Sequence, residues 1–409
     1  MLRAGHVIGL CVLALLCMGV VMVNSADMSV QRAEAVTFGS IIGSRSSWYM
    51  LAALVAMLAA ACLPARWLPD ARWMGARVTL LHPVLLIGAF ALLGLLLMVY
   101  LPVLGREVKG SARWIHVPLI GSFQPSEVVK WGMLLLLALY AAWQGAQRMA
   151  RFNRLVVGFG VAAVLSGVVA TEDLGTGVLM MAGATVLLVA AGVSAWKLAL
   201  FIPPAAGAVA LAVFTSDYRM RRVTTFLNPF EDPADAGYHM IQSMTAVANG
   251  EVFGRGLGFG LQKFGYLPED RTDFLFAVIC EELGVVGASI VVALYLGVLW
   301  AGLSVLRRIP AHADACRLFA LGVLATLGFQ AVINIGVVTG LGPTKGIALP
   351  LLSSGGTGWI LTALSLGVLI AMDRAWPAPV DDEYSADSYD DEPADAPAVF
   401  VRDRERVLS

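Results

Sequence analysis

The chain has 409 residues, 58% of them hydrophobic and 14% charged, with a formal net charge of −1. Soluble domains carry about a quarter charged residues, so this much apolar surface requires a non-aqueous environment, which a bilayer supplies. The near-zero charge excludes the clustered basic surface of a nucleic-acid partner, and five dispersed cysteines (Cys11, Cys17, Cys62, Cys280, Cys316) make neither a disulfide framework nor a metal-type pair.

The first apolar run, Val7 to Val23 behind Arg3, has the outline of a signal peptide. It is longer than a usual h-region and similar runs follow, so it reads as an uncleaved first span. Runs long enough to cross about 30 Å of hydrocarbon recur at 6–24, 47–64, 79–101, 126–143, 155–171, 175–194, 196–214, 273–303, 316–339 and 356–373. Backbone groups in lipid must be satisfied internally, so the expected fold is an all-α polytopic membrane protein of about ten transmembrane helices. Lys/Arg bias places Arg66, Arg72, Arg77, Arg148, Arg151, Arg154, Lys197, Arg307, Arg308 and Arg317 on the cytoplasmic side, with both termini cytoplasmic. The loop carrying Arg106 and Lys109 departs from this bias.

That orientation leaves a large extracytoplasmic loop, about 215–272, between helices 7 and 8, with an interfacial helix expected near His239–Asn249. A loop of this length is usually functional. The transmembrane domain is expected over 1–376. From 377 to 409 the composition changes: residues 381–395 hold eight acidic side chains, which reads as a disordered cytoplasmic tail.

Four segments carry polar chemistry at the outer ends of the spans, where ionisable groups are functional candidates. The first, Ser111–Lys130, places Pro125 in the first turn of a helix and Glu127 three residues from Lys130 on one face. Arg113 and Trp114 lie just outside it, where Trp114 reads as an interfacial anchor. The second is the turn Thr171–Thr176, in which Asp173 is either a helix cap or a metal or sugar contact. The third, Gly254–Gly287, runs through Gln262, Lys263, Glu269 and Arg271 to Asp273. Asp273 is either a cap or part of a mixed-charge site, and Glu281 and Glu282 further along are expected to hydrogen-bond between helices. The fourth, Asn334–Gly358, is broken by Pro343, Gly346 and Pro350 and carries Lys345, Ser353 and Ser354. Backbone this irregular at membrane depth lines a cavity, and Lys345 suits a phosphate as a point charge. Together these features suit an anionic, lipid-linked substrate, and the residues alone do not name its sugar.

In this order the four segments resemble the RodA/FtsW (shape, elongation, division and sporulation) family. The resemblance rests on the Arg113-Trp114 stretch running to Gln124-Pro125-Ser126-Glu127, on Asp173-Leu174-Gly175-Thr176, on Leu267-Pro268-Glu269 with Thr272-Asp273-Phe274, and on Pro343-Thr344-Lys345-Gly346 with the later glycine pair. It covers about residues 80–372, and Gln262-Lys263 before Tyr266-Leu267-Pro268-Glu269 is closer to the division (FtsW-like) branch. It implies a peptidoglycan glycosyltransferase that polymerises lipid II, with Asp273 as the catalytic general base. Substrate binding then falls to Arg113, Trp114, Glu127, Lys130, Asp173, Gln262, Lys263, Glu269, Arg271, Lys345, Ser353 and Ser354. The leaving pyrophosphate needs cations, supplied by Lys263, Arg271, Lys345 or a divalent Mg or Mn ion, and no organic cofactor is implied. The implied partners are a class B penicillin-binding protein transpeptidase and other division or elongation machinery. Arg271 stands where the family usually has histidine, Thr171-Glu172 where it favours Gln-Pro, and Ser353-Ser354 where an aromatic often precedes the glycines. The competing reading is a lipid II flippase. A transporter needs ionisable groups near the bilayer midplane, whereas this chain concentrates them at the outer helix ends.

Overall fold

A computed structural model describes residues 3–27, 38–71, 74, 82–101, 105–108, 111–117, 121–143, 151–233, 237–344 and 346–377. Its helices are α1 (Ala4–Ala26), α2 (Phe38–Ile42), α3 (Arg45–Ala61), α4 (Pro83–Leu97), α5 (Pro125–Ala142), α6 (Arg151–Glu172), α7 (Leu174–Ala190), α8 (Ala195–Ala199), α9 (Ile202–Phe214), α10 (Asp217–Leu227), α11 (Tyr238–Asn249), α12 (Leu275–Arg308), α13 (Asp314–Val338) and α14 (Thr357–Ala375). Among the described residues, seven helices are long and apolar enough to cross a membrane, counting Ala195–Phe214 as one, and three shorter apolar helices accompany them at Arg45–Ala61, Val156–Glu172 and Leu174–Ala190. In order, these match the ten expected spans, and the chain is a multi-pass helical membrane protein.

Local chemistry sets the helix starts. Pro83 and Pro125 occupy first-turn positions, where the missing N–H is no loss. Asp173 caps α7 by accepting from Thr176 N at 3.1 Å. The seventh span is divided into α8 and α9 because Pro203 and Pro204 fit only the first turn of a helix. Close approach fixes the packing of α3 on α14, since a Cβ on Gly367 would lie 2.4 Å from the Met57 carbonyl oxygen. At the end opposite Asp273, Asp373 accepts from Gly5 N and from Arg308 Nη1, both at 3.1 Å, joining α1, α12 and α14.

Three features were not anticipated. A small antiparallel sheet, β1 (Gly105–Val108), β2 (Ser111–Val117) and β3 (Gly121–Phe123), precedes α5, with Arg106 opposite Trp114 and Ile115 opposite Phe123. The loop between the seventh and eighth spans holds α10 as well as the expected helix near 239–249. The eighth span runs 34 residues and is broken at Gly284, where φ is 64° and ψ is −162°.

The groups freed by that break are taken up by the preceding loop. Arg255 N and Gly256 N donate to the Glu281 and Glu282 carbonyls at 2.9 and 3.0 Å, while Val285 N and Val286 N donate to the carbonyls of Glu251 and Val252 at 3.0 and 3.2 Å. A broken helix at membrane depth is tolerated only when its polar groups are satisfied in this way. Gly254 permits the approach, since a Cβ there would sit 2.2 Å from the Glu282 carbonyl oxygen.

Candidate active site

The polar segments meet at one end of the bundle. Asp273 lies one residue ahead of Phe274, the N-cap of α12, and that cap has no side-chain hydrogen bond. Arg113 on β2 donates to the Asp173 carboxylate at 3.4 Å and to the Glu172 carbonyl. Gly346 lies between the two charged groups: a methyl on its Cα would be 3.5 Å from Asp273 Oδ2 and 3.6 Å from Arg113 Nη1. A carboxylate and a guanidinium thus face one gap, lined by a residue with no side chain. The adjoining cleft is bounded by Leu96, Val99, Tyr100, Glu172 and Asp173, an apolar wall leading to a charged rim.

A second group braces this gap. Lys130, 1% exposed, pairs with Glu127 at 2.9 Å and donates to Gln330 Oε1 at 3.1 Å. Gln330 in turn donates to the Ala348 carbonyl at 2.8 Å. Glu127 lies against Gly358 of α14, where a Cβ would be 3.4 Å from its carboxylate. The Glu127–Lys130 spacing therefore produces a real pair, and it ties α5 to α13 and to the 346–348 segment.

Other expected site residues lie elsewhere. Lys263 is buried and holds Glu282 at 2.7 Å, with Ser25 of α1 completing the group. Its charge is neutralised inside the fold by the Glu282 carboxylate. Gln262 is buried and its N–H donates to Glu281, which also accepts from Leu261 N. Ser353 is 1% exposed, accepts from Leu349 N on its hydroxyl and from the Trp359 indole on its carbonyl. Ser353 is thus an internal strut. Glu282 bonds between helices as expected, through Ser25 of α1, whereas the Glu281 carboxylate accepts from the loop amides of Leu261 and Gln262.

Arg271 forms an ion pair with Asp27, just past α1, and its carbonyl accepts from Ser354 N at 2.9 Å. Glu269 adopts a left-handed conformation (φ 58°) and accepts from the Thr272 hydroxyl at 2.9 Å. Trp114 is half-buried beside Arg113 on β2, and alternation along a strand turns it to the opposite face of the sheet. Lys345 lies outside the described residues.

Sequence reasoning passed over the α10 arginines. Arg219 donates to the Thr171 carbonyl at 2.8 Å, and Arg222 to the Thr344 carbonyl at 3.1 Å, so α10 straps the end of α6 to the segment before Gly346. The dense basic run Arg219, Arg221, Arg222 in an outer loop was the available signal. Among the described residues, no group of three or more His, Cys, Asp or Glu side chains converges to hold a metal.

Burial pushes the Asp270 carboxyl up to about 6, against a smaller downward pull from Arg271 and an upward push from Asp27. The folded state then holds this proton more tightly than the unfolded chain, so stability is lost as pH rises from 3.8 to about 6 and is level above that. Asp270→Asn is expected to melt at a higher temperature than the native protein at pH 7.5, with the difference vanishing at pH 4. Equal melting curves at both pH values would contradict this.

The family model described as "Cell cycle protein", covering FtsW, RodA and SpoVE, matches residues 6–376. The chain belongs to this family. A relative from Alkalilimnicola ehrlichii, named "Probable peptidoglycan glycosyltransferase FtsW", is 40% identical over 370 residues, covering 90% of this chain and 88% of the relative. A protein of the same name from Geobacter sp. strain M18 is 38% identical over 362 residues, covering 87% and 93%. Among solved structures, one described as "Structural coordination of polymerization and crosslinking by a peptidoglycan synthase complex" superposes with a TM-score of 0.67 at 26% identity, covering 90% of this chain and 97% of the other. Thermus thermophilus rod shape determining protein RodA superposes with a TM-score of 0.59 at 26% identity, covering 90% and 96%. The FtsW/RodA/SpoVE fold thus extends over all ten spans, and the acidic tail falls beyond the matched residues.

Proposed function

We propose that this FtsW/RodA/SpoVE family member is a peptidoglycan glycosyltransferase that polymerises lipid II at the outer face of the bacterial cytoplasmic membrane. The observation that carries the reading is the gap at Gly346, with Asp273 on one side and Arg113 on the other. Asp273 takes the proton of the acceptor 4-hydroxyl as its oxygen forms a bond to the donor anomeric carbon. The bond from that carbon to the pyrophosphate oxygen breaks, and the electron pair leaves with undecaprenyl pyrophosphate. Arg113 supplies positive charge where negative charge develops on the leaving pyrophosphate, and Lys345 is a further cation the sequence offers.

The Lys/Arg bias supports placing the Asp273 end outside and both termini inside. The FtsW names of the relatives at up to 40% identity, against 26% for the Thermus RodA, support the division-type branch. The described polymerization and crosslinking of the structural neighbour supports a class B penicillin-binding protein as partner. The deciding experiment is glycan chain formation from labelled lipid II by the purified protein, with and without that partner. Absence of chains under both conditions would remove the reading.

Gly346→Ala offers a finer test. Its φ is not in the left-handed region and the added methyl meets only ordinary contacts at 3.5 and 3.6 Å, so the variant should fold and melt normally. The methyl fills the space between carboxylate and guanidinium, and polymerisation should fall by about tenfold or more, as for a displaced near-attack geometry. Native-level polymerisation would place the reacting centre elsewhere.

A further inference from the structure

Asn334 sits on α13, 2% exposed, at the head of the fourth polar segment. Its Nδ2 donates to the Asp273 carbonyl at 2.9 Å and to the Ile347 carbonyl at 2.7 Å. Both acceptors are carbonyl oxygens, so the orientation of the amide is fixed by its partners. One side chain therefore joins the residue bearing the candidate base to the residue after Gly346. These are two of the walls of the gap. Asn334 Oδ1 is buried with no hydrogen-bond partner among the described residues, so the amide acts here through its two donations alone.

The turn around Asp273 has other anchors. Thr272 N and Phe274 N donate to the Glu269 carbonyl at 3.1 and 3.2 Å, and Ser354 N donates to the Arg271 carbonyl at 2.9 Å. Losing the Asn334 bonds should let Asp273 shift against Gly346 while the turn stays closed.

We propose that Asn334 is a positioning residue for the polymerisation step, fixing Asp273 relative to the 346–347 segment through the two N–H bonds of its amide. This rests on the reading of Asp273 as general base. Displacing a reacting group by about 1 Å costs up to 10²-fold in rate without changing ground-state binding.

The experiment measures kcat and KM for lipid II with the full-length protein and its transpeptidase partner. Asn334→Ala is expected to lower kcat by about 10–100-fold, with KM within about twofold of native. Asn334→Ser, which keeps one donor, should fall between the two. Ser243→Ala is the matched control: it removes another buried bond to α13, from Ser243 Oγ to the Val338 carbonyl at 2.8 Å. If Asn334 merely held helices together, Asn334→Ala and Ser243→Ala would lower activity alike, in step with the fraction folded. That result, a native kcat in Asn334→Ala, or a rise in KM at unchanged kcat would each overturn the proposal. Should Asn334→Ala not accumulate, Asn334→Ser is judged by the same three criteria. A native protein that makes no glycan at all would instead defeat the polymerase reading, and the two failures are distinguishable.

Discussion

Asp273→Asn should fold, insert and bind its partner normally, and lose glycan polymerisation by about 10²–10⁴-fold, the usual contribution of a general base. Asparagine caps a helix about as well as aspartate, and the N-cap of α12 is Phe274 in any case, so stability gives little reason for the variant to fail. What asparagine cannot do is take the acceptor proton. The measurement pairs chain formation from labelled lipid II with a thermal melt of the same preparation. Near-native polymerisation would remove Asp273 as the base and make Glu269 the next carboxylate to test. Loss of the folded state instead would show that the carboxylate is needed for the fold.

The second large effect is expected at Lys130. Its ammonium is buried between Glu127 and Gln330, and Lys130→Ala leaves the Glu127 carboxylate without its countercharge. Breaking a buried pair from one side costs about 3–5 kcal/mol, whereas removing both charges costs far less. Lys130→Ala should therefore accumulate poorly and melt early, and adding Glu127→Gln to Lys130→Met should restore much of the stability. Activity would not return in full, because the brace from α5 through Gln330 to Ala348 is lost in both. A double variant no more stable than Lys130→Ala would show that the pair contributes through shape, not charge.

The spans were legible because bilayer thickness imposes a length and the apolar runs carry it. Pro83 and Pro125 marked helix starts directly. The sheet was missed because short strands next to long apolar runs carry a weak signal. The break in α12 was hidden since an isolated glycine such as Gly284 is compatible with a helical pattern. At the site, the role of Asp273 came from the family resemblance alone, whereas the Glu127–Lys130 pair was readable from local spacing. The fate of Lys263 was not, because it depends on Glu282 and on Ser25, which is 238 residues away in sequence. The same holds for Asn334 and for the α10 arginines, whose partners are backbone carbonyls that leave no trace in composition.

The exchange of main-chain bonds across Gly284 limits how this protein can be recombined. The loop at 251–256 and the helix at 281–286 complete each other's backbone, as two strands of a clasp would. A chimera that takes its outer loop from one family member and its eighth span from another would cut through that clasp and leave amides and carbonyls bare at membrane depth. Residues from about 250 to 286 therefore form one heritable block, and viable crossover points are expected on either side of it.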